Sequence, residues 1–191
     1  MSAPVLQIII GSTRPGRKGP AVAEWFAREA RAHGGFEVEV VDLAEVDLPL
    51  MDEPNHPRLG QYVHQHTKDW SATVSRGDAY VFVVPEYNHS FNAATKNALD
   101  YLHREWQDKP VGIVSYGGVS AGTRSLTALK PVLAALRMVP VTESVNVPFF
   151  TQFLDDDDVF HPNDVTEGAA KAMLDELARY TKALRPLRAA A

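Results

Sequence analysis

Short apolar stretches alternate along the chain with longer segments in which apolar residues recur every three or four positions. The short stretches are rich in β-branched residues and nearly continuous in apolar character, which is typical of strands covered on both faces of a parallel sheet. They predict five strands, at Val5–Ile10, Val38–Val41, Ala79–Val84, Val111–Ser115 and Val139–Val145.

The longer segments carry the periodicity of amphipathic helices. Strict alternation of strand and helix predicts an α/β fold, with a parallel sheet and helices on both faces. The helices are expected at Ala21–Ala32, around Val63, Trp70 and Val74, at Ala93–Arg104, along the stripe Leu126, Leu129, Leu133 and Leu136, and along Met173, Leu177, Tyr180 and Leu184.

Two segments interrupt this alternation. Residues 46–60 contain three prolines, and residues 148–163 combine aromatic residues with four consecutive aspartates. Both are longer than the usual connection of about 2–6 residues, and long loops are commonly binding loops or parts of interfaces.

Composition narrows the class of protein. The 191 residues, 45% of them hydrophobic, fit a single domain spanning residues 1–191. A net charge of −5 argues against a nucleic-acid partner, and the absence of cysteine excludes disulfides and thiolate metal sites. The N-terminal sequence resembles a first strand more than a signal peptide, and no apolar run could span a membrane. We therefore expect a cytoplasmic protein with no membrane partner.

Candidate chemistry begins in the loop after the first strand, residues 11–19. Its glycines let backbone N–H groups face a ligand, and the following helix points its positive end at the loop. Ser12 and Thr13 add hydroxyl donors, and Arg14, Arg17 and Lys18 add positive charge. This density of donors favours an anion site over an ordinary strand-to-helix turn.

The spacing of this loop distinguishes between possible anions. A nucleoside-triphosphate loop requires GxxxxGK[ST], but Arg17 follows Gly16 here and no hydroxyl is placed for magnesium. The dinucleotide pattern GxGxxG fails because position 13 is threonine, so Asp42, at the end of the second strand, is more simply a cap than a ribose ligand. A phosphate monoester fits better.

Two further loops follow the third and fourth strands. The first crowds Pro85, Glu86, Tyr87 and Asn88 beside the end of its strand, and Tyr87 could lie against a flat ring. The second, residues 115–126, contains glycines that allow close approach to a planar ligand. In an open parallel sheet, such loops converge on one crevice at the carboxyl ends of the strands. Neither the scattered histidines nor the aspartate run has the spacing of a metal site, so we expect none.

These motifs together carry a resemblance. GSTRPGR after the first strand, PEYNHSFNAATKNALDYL after the third and YGGVSAGTRSLTALKPVLAAL after the fourth resemble the NADPH-dependent FMN reductase family, a flavodoxin-like group with azo-, quinone- and chromate-reducing members. The resemblance spans about Val5–Val145. It implies a five-stranded parallel sheet in the order 2-1-3-4-5, bound FMN, NADPH or NADH as electron donor, and a homodimer or homotetramer.

The resemblance also implies roles for individual residues. Ser12 and Arg14 would hold the FMN phosphate together with backbone amides of the same loop, which includes Thr13. Arg17, which stands where many relatives have serine, would contact either this phosphate or the 2′-phosphate of NADPH. The flavin ring and its side chain would be bordered by Pro85, Glu86, Tyr87 and Asn88 and by Tyr116, Gly117 and Gly118.

Together, these features predict an oxidoreductase that passes two electrons from NAD(P)H through bound FMN to a small acceptor such as a quinone, an azo compound or a flavin. No catalytic side chain is assigned, because the flavin carries the hydride chemistry. The alternative is a flavodoxin-type electron carrier without NAD(P)H turnover. We also expect the aromatic residues of the 148–163 loop to be covered by a second subunit.

Overall fold

A six-stranded parallel sheet forms the centre of the computed structural model, which describes residues 3–189. The strands are β1 Val5–Ile10, β2 Glu37–Asp42, β3 Ala79–Pro85, β4 Pro110–Tyr116, β5 Val139–Pro140 and β6 Val145–Val147. Their order β2-β1-β3-β4-β5 confirms the expected flavodoxin-like arrangement, and β6 also pairs with β4.

The predicted fifth strand is interrupted. β5 pairs with the beginning of β4 and β6 with its end, so both occupy the edge position expected for one strand. Between them the chain leaves the ladder, and the backbone N–H of Glu143 donates to the Glu176 carboxylate at 2.8 Å. The Glu176 side chain, on the last helix, therefore accepts a hydrogen bond from a backbone amide that would otherwise pair within the sheet.

The helices cover both faces of the sheet, as predicted. α1 and α6 pack on one face around Phe26 and Met173, and α3, α4 and α5 pack on the other around Trp70 and Leu129. Between residues 3 and 189, no helix combines the length and apolar character that crossing a membrane requires. The helices are α1 Gly19–His33, α2 Leu43–Val46, α3 Gln65–Arg76, α4 Ala93–Asp100, α5 Thr123–Ala135 and α6 Asp164–Ala189.

Helix α4 is shorter than predicted because the chain turns inward after Asp100. A 3-10 turn at Arg104–Trp106 places the Trp106 ring, which is fully buried, 5.1 Å from the Tyr80 ring. The gain from burying this ring explains why the helical pattern stops.

The aromatic loop after β6 is covered mainly by its own chain, contrary to expectation. Phe160 is 1% exposed and its ring lies 5.2 Å from that of Trp25 on α1. Phe150 and Phe153 are half-buried against the same core, while Phe149 stays 48% exposed. The loop is thus a cover for α1, and its aromatic content does not require a second subunit.

A buried lysine sits at the opposite end of the sheet from the loops that follow β1, β3 and β4. Lys109 is 7% exposed, and its ammonium donates to the Tyr80 hydroxyl at 2.8 Å and to the Val74 carbonyl at 3.3 Å. Burial, aided by the positive charge of Arg188, lowers the pKa of Lys109 to about 8 from 10.5. The folded protein therefore holds this proton less tightly than the unfolded chain does.

This proton linkage predicts that stability rises between pH 8 and pH 10.5, where the unfolded chain binds the proton and the folded protein has lost it. At pH 7 both states are protonated, and the buried charge carries its full cost. Lys109→Met should therefore raise the free energy of unfolding at pH 7 by about 2 kcal/mol and flatten this rise. Urea unfolding at several pH values measures both effects.

The control is Lys68→Met, since Lys68 is exposed on α3. The Lys68→Met variant should show the same increase in the free energy of unfolding above pH 8 as wild type. An equal pH dependence in wild type and Lys109→Met would contradict the assignment of this proton to Lys109.

Candidate functional site

The parallel register brings three loops to one edge of the sheet. Ile10 stands opposite Val83, and Pro85 opposite Tyr116. Hydrogen bonds continue past the strand ends: the N–H of Gly11 donates to Val83 at 2.9 Å. Likewise, Glu86 donates to Tyr116 at 3.1 Å and Gly117 to Val147 at 3.2 Å. Each loop therefore begins from an amide fixed to the neighbouring strand.

The loops enclose a cleft of about 180 Å³. Eight of the residues predicted from the sequence line it, together with two that were not, Lys18 and Phe150. The lining consists of Arg14, Arg17, Lys18, Pro85, Glu86, Tyr87, Tyr116, Gly117, Gly118 and Phe150. Larger cavities exist, including one of about 610 Å³ between α1 and α6, but that cavity is not lined by any of these three loops.

At one end of the cleft lies the loop between β1 and α1. Ser12 is 1% exposed, and its hydroxyl makes no hydrogen bond of good geometry among residues 3–189, although it lies close enough to the Tyr116 hydroxyl to oppose the rise in the pKa of that group. Helix α1 begins at Gly19 with no side-chain cap and no acidic residue in its first turn. A Cβ at Gly19 would lie 2.2 Å from the Ser12 Oγ and 2.7 Å from the Tyr116 hydroxyl. The glycine therefore keeps a close pair of hydroxyls beside an uncapped helix N-terminus.

The three cations of this loop are placed differently. Both terminal nitrogens of Arg17 donate to the Asp42 carboxylate at 2.6 Å, and Lys18 pairs with Asp158 at 2.6 Å. Arg14 is exposed and forms no ion pair with any residue between 3 and 189; its guanidinium lies 5.9 Å from the centre of the Tyr87 ring. Arg14 thus has the charge available for an anionic ligand.

The loop after β3 ends in a tight turn. Tyr87 and Ser90 exchange backbone hydrogen bonds of 2.8 and 3.0 Å, and the two residues between them, Asn88 and His89, have positive φ angles. Asparagine tolerates this conformation better than most residues. Tyr87 therefore faces the cleft, whereas Asn88 is exposed at the tip of the turn.

Glu86 anchors this loop to α5. Its side chain is 6% exposed and accepts from the Arg124 side chain at 2.6 Å. Burial alone would raise the pKa of Glu86, but hydrogen bonds from Ser120 and Arg124 outweigh it and lower the pKa. Glu86 is therefore a fixed carboxylate rather than a proton donor at neutral pH.

The glycine loop forms the other end of the cleft. A Cβ at Gly118 would meet no atom within 4 Å, so this position borders open space. The Tyr116 ring packs edge-on against Phe150 at 5.0 Å, and burial raises the pKa of Tyr116 to about 12. Its hydroxyl keeps its proton at neutral pH and can donate to a ligand.

Three predicted residues are not among those that line the cleft. Ser12 is buried beside the Tyr116 hydroxyl, Thr13 lines a neighbouring cavity of about 320 Å³ between α2 and α4, and Asn88 is exposed at the tip of the turn. Lys18 could have been found from its place in the same glycine loop. Phe150 gave no local signal, because its contact with Tyr116 joins residues far apart in sequence.

Comparison with known proteins identifies the family. The family model for NADPH-dependent FMN reductases matches residues 5–152. The chain belongs to this family. This membership confirms the expected class of enzyme, an oxidoreductase, and the expected cofactors, FMN and a reduced nicotinamide.

Individual relatives agree with this membership. An NAD(P)H-dependent FMN reductase of Schizosaccharomyces pombe is 38% identical over 149 residues, covering 76% of this chain and 74% of the relative. An FMN-dependent NADPH-azoreductase of Staphylococcus saprophyticus is 25% identical over 178 residues, covering 92% and 94%. Among solved structures, the flavoenzyme FerB of Paracoccus denitrificans matches with a TM-score of 0.76 at 18% identity, covering 94% and 98%, which supports the fold.

The cleft and its surroundings offer groups that would suit FMN. Among residues 3–189, the Ser12 hydroxyl makes no hydrogen bond of good geometry and Arg14 forms no ion pair, which suits a phosphate, and the open space at Gly118 suits a flat ring. These observations concern the chain itself and do not depend on the relatives.

Replacing Ser12 should change the stability of the protein and its affinity for FMN in opposite directions. Ser12→Ala should stabilise the FMN-free protein by about 1 kcal/mol, because it removes a buried polar group that lacks a partner. The same change should weaken FMN binding about tenfold, because one donor to the phosphate is lost. Thermal unfolding and flavin-fluorescence titration measure the two effects.

Ser125→Ala is the matched control, since Ser125 is also fully buried and its hydroxyl has no hydrogen-bond partner among residues 3–189, but it belongs to α5 and not to the loop between β1 and α1. It should stabilise the protein without changing FMN affinity. Unchanged FMN affinity in Ser12→Ala would exclude Ser12 as a phosphate ligand.

Proposed function

We propose that the protein is an NAD(P)H-dependent reductase that passes two electrons through FMN, bound in this cleft, to a small acceptor such as a quinone, an azo compound or a flavin. In this proposal the chain forms one FMN-binding domain. The observation that supports this proposal most is the contrast between the two ends of the cleft. Arg14, which forms no ion pair among residues 3–189, lines one end near the buried Ser12 hydroxyl, and Gly118 borders open space at the other.

The proposed roles follow from position. Ser12 and Arg14 hold the phosphate, and Pro85 and Tyr87 border the flavin ring on one side. Tyr116 donates a hydrogen bond from its protonated hydroxyl, while Gly117 and Gly118 border the ring on the other side. The Gly117 N–H already donates to Val147. Any amide donor to the ring from this pair is therefore Gly118.

Bound FMN supplies the chemistry, accepting a hydride from the nicotinamide and returning two electrons to the acceptor. The chain orients this exchange, since Glu86 and Arg124 fix the loop that carries Tyr87. No side chain is required to move a proton during hydride transfer, so the proposal assigns none.

Turnover distinguishes this function from that of an electron carrier. The purified protein with FMN should oxidise NADPH or NADH continuously when a quinone is supplied, at a rate proportional to enzyme concentration. Stopped-flow absorbance follows both flavin bleaching and nicotinamide consumption. Failure of either nucleotide to bleach the bound flavin would support the carrier instead.

A substitution at Gly118 can be tested in the same assay. Gly118→Leu fills open space at the cleft, so it should fold normally and lose FMN-dependent turnover at least tenfold. Gly168→Leu on α6 is the control, because a Cβ there also meets no atom within 4 Å and the site is remote from the cleft. Equal turnover in both variants would remove Gly118 from the flavin site.

We propose further that the protein is a homodimer or homotetramer, and that residues 47–64 form the contact. This segment exposes large apolar side chains, with Leu50 82%, Leu59 54% and Val63 53% exposed. Pockets that enclose a drug-sized ligand measure about 300–1,000 Å³. The smaller cleft described above would leave part of a flavin uncovered by one chain.

Light scattering at micromolar concentration tests this assembly. Wild type should be oligomeric, and Leu50→Glu should shift it toward monomer, because a charge would be buried in the contact. Phe149→Ser, which alters the exposed aromatic residue of the other long loop, should leave the oligomer intact. A monomeric wild type would contradict the proposal.

A further inference from the structure

Arg17, in the loop after β1, and Asp42, at the end of β2, form an ion pair beside the end of the cleft proposed to hold the phosphate. Arg17 donates from Nη1 and Nη2 to the two carboxylate oxygens of Asp42, each at 2.6 Å. Their side chains are 20% and 12% exposed. This two-point geometry is the strongest common form of an arginine–carboxylate contact.

The same pair also fixes backbone. Nη1 of Arg17 donates to the Ser12 carbonyl at 2.8 Å, and Asp42 accepts from the Ala44 N–H at 3.0 Å, which caps α2. Asp42 is therefore held from two sides, and through Arg17 it contacts the backbone of Ser12, whose hydroxyl lies beside that of Tyr116 in the cleft lining. The contacts link the end of β2 to the loop after β1.

We infer that Asp42 and Arg17 act as a positioning pair that sets Ser12 for the FMN phosphate, and that Arg17 binds neither this phosphate nor the 2′-phosphate of NADPH. The inference rests on the proposed function, because it concerns how the same cleft holds FMN.

Charge supports this assignment. The Asp42 carboxylate raises the pKa of Arg17 above its usual value, since the ion pair favours the protonated guanidinium. The pair carries no net charge toward a ligand. Releasing Arg17 to grip a phosphate would leave a largely buried carboxylate without its partner, which is costly. Arg14 forms no ion pair among residues 3–189, so binding a phosphate through Arg14 would break no such contact.

The two possible roles of Arg17 predict opposite effects of removing Asp42. If Arg17 gripped the phosphate, Asp42 would compete for it, and Asp42→Ala would strengthen FMN binding. If the pair positions Ser12, Asp42→Ala loosens the loop and weakens FMN binding. Riboflavin, which lacks the phosphate, separates an effect on the phosphate end from a general loss of structure.

The experiment measures the affinities of wild type, Asp42→Ala and Asp42→Asn for FMN and for riboflavin by fluorescence titration. We expect FMN affinity to fall five- to twentyfold in both variants and riboflavin affinity to stay within twofold of wild type. Asp42→Asn keeps an oxygen that can cap α2, so it guards against failure of Asp42→Ala to fold. Unchanged or tighter FMN binding, or an equal loss for both flavins, would overturn the inference.

Variants of Arg17 provide a second test of the inference. Arg17→Lys keeps the charge and one donor to Asp42, so it should retain more FMN affinity than Arg17→Met. The KM ratio for NADPH against NADH should be the same in Arg17→Met as in wild type. A selective rise in the KM for NADPH would instead assign Arg17 to the 2′-phosphate.

Asp108→Ala is the control for losing an arginine–carboxylate pair away from the cleft, since Asp108 pairs with Arg137 at 3.1 Å. It should leave both flavin affinities unchanged. If wild type itself fails to bind FMN, the proposed function fails and this inference fails with it. If wild type binds FMN and Asp42→Ala binds it equally well, only this inference fails.

Discussion

The site depends on the parallel register of β1, β3 and β4. Because these strands end at nearly the same level, the loops that follow them must share one edge of the sheet. Hydrogen bonds from Gly11, Glu86 and Gly117 to the neighbouring strands then fix where each loop departs. Residues more than a hundred positions apart in sequence thereby line a single cleft. The shape of this cleft is a property of the sheet as much as of the loop sequences.

In the proposed site, the loop between β1 and α1 would owe its selectivity for a phosphate to partners supplied by other parts of the chain. Its sequence contains three cations, but Asp42 and Asp158 neutralise two of them. What remains for a ligand is the charge of Arg14, the hydroxyl of Ser12 and the N-terminus of α1. This set suits one phosphate monoester, and a loop with three free cations would attract anions with less discrimination.

The sequence was sufficient for the strand–helix alternation and the three loops, because hydrophobic periodicity and glycine-rich turns are local signals. It did not reveal the interruption between β5 and β6, which depends on a hydrogen bond to Glu176, or the burial of Phe160 against Trp25. It also did not reveal the ion pair between Arg17 and Asp42, because these residues come together only after folding. Each of these features is a tertiary contact that competes with a local preference.

In the proposed enzyme all three loops contact one bound FMN, and hydrogen–deuterium exchange with and without FMN tests this contact most directly. Buried and hydrogen-bonded amides exchange more slowly, so a ligand slows exchange in the backbone that it covers. Exchange should slow in residues 11–19, 85–91 and 116–123 together when FMN is added. Protection missing from any one of these segments, or concentrated between α1 and α6, would contradict it.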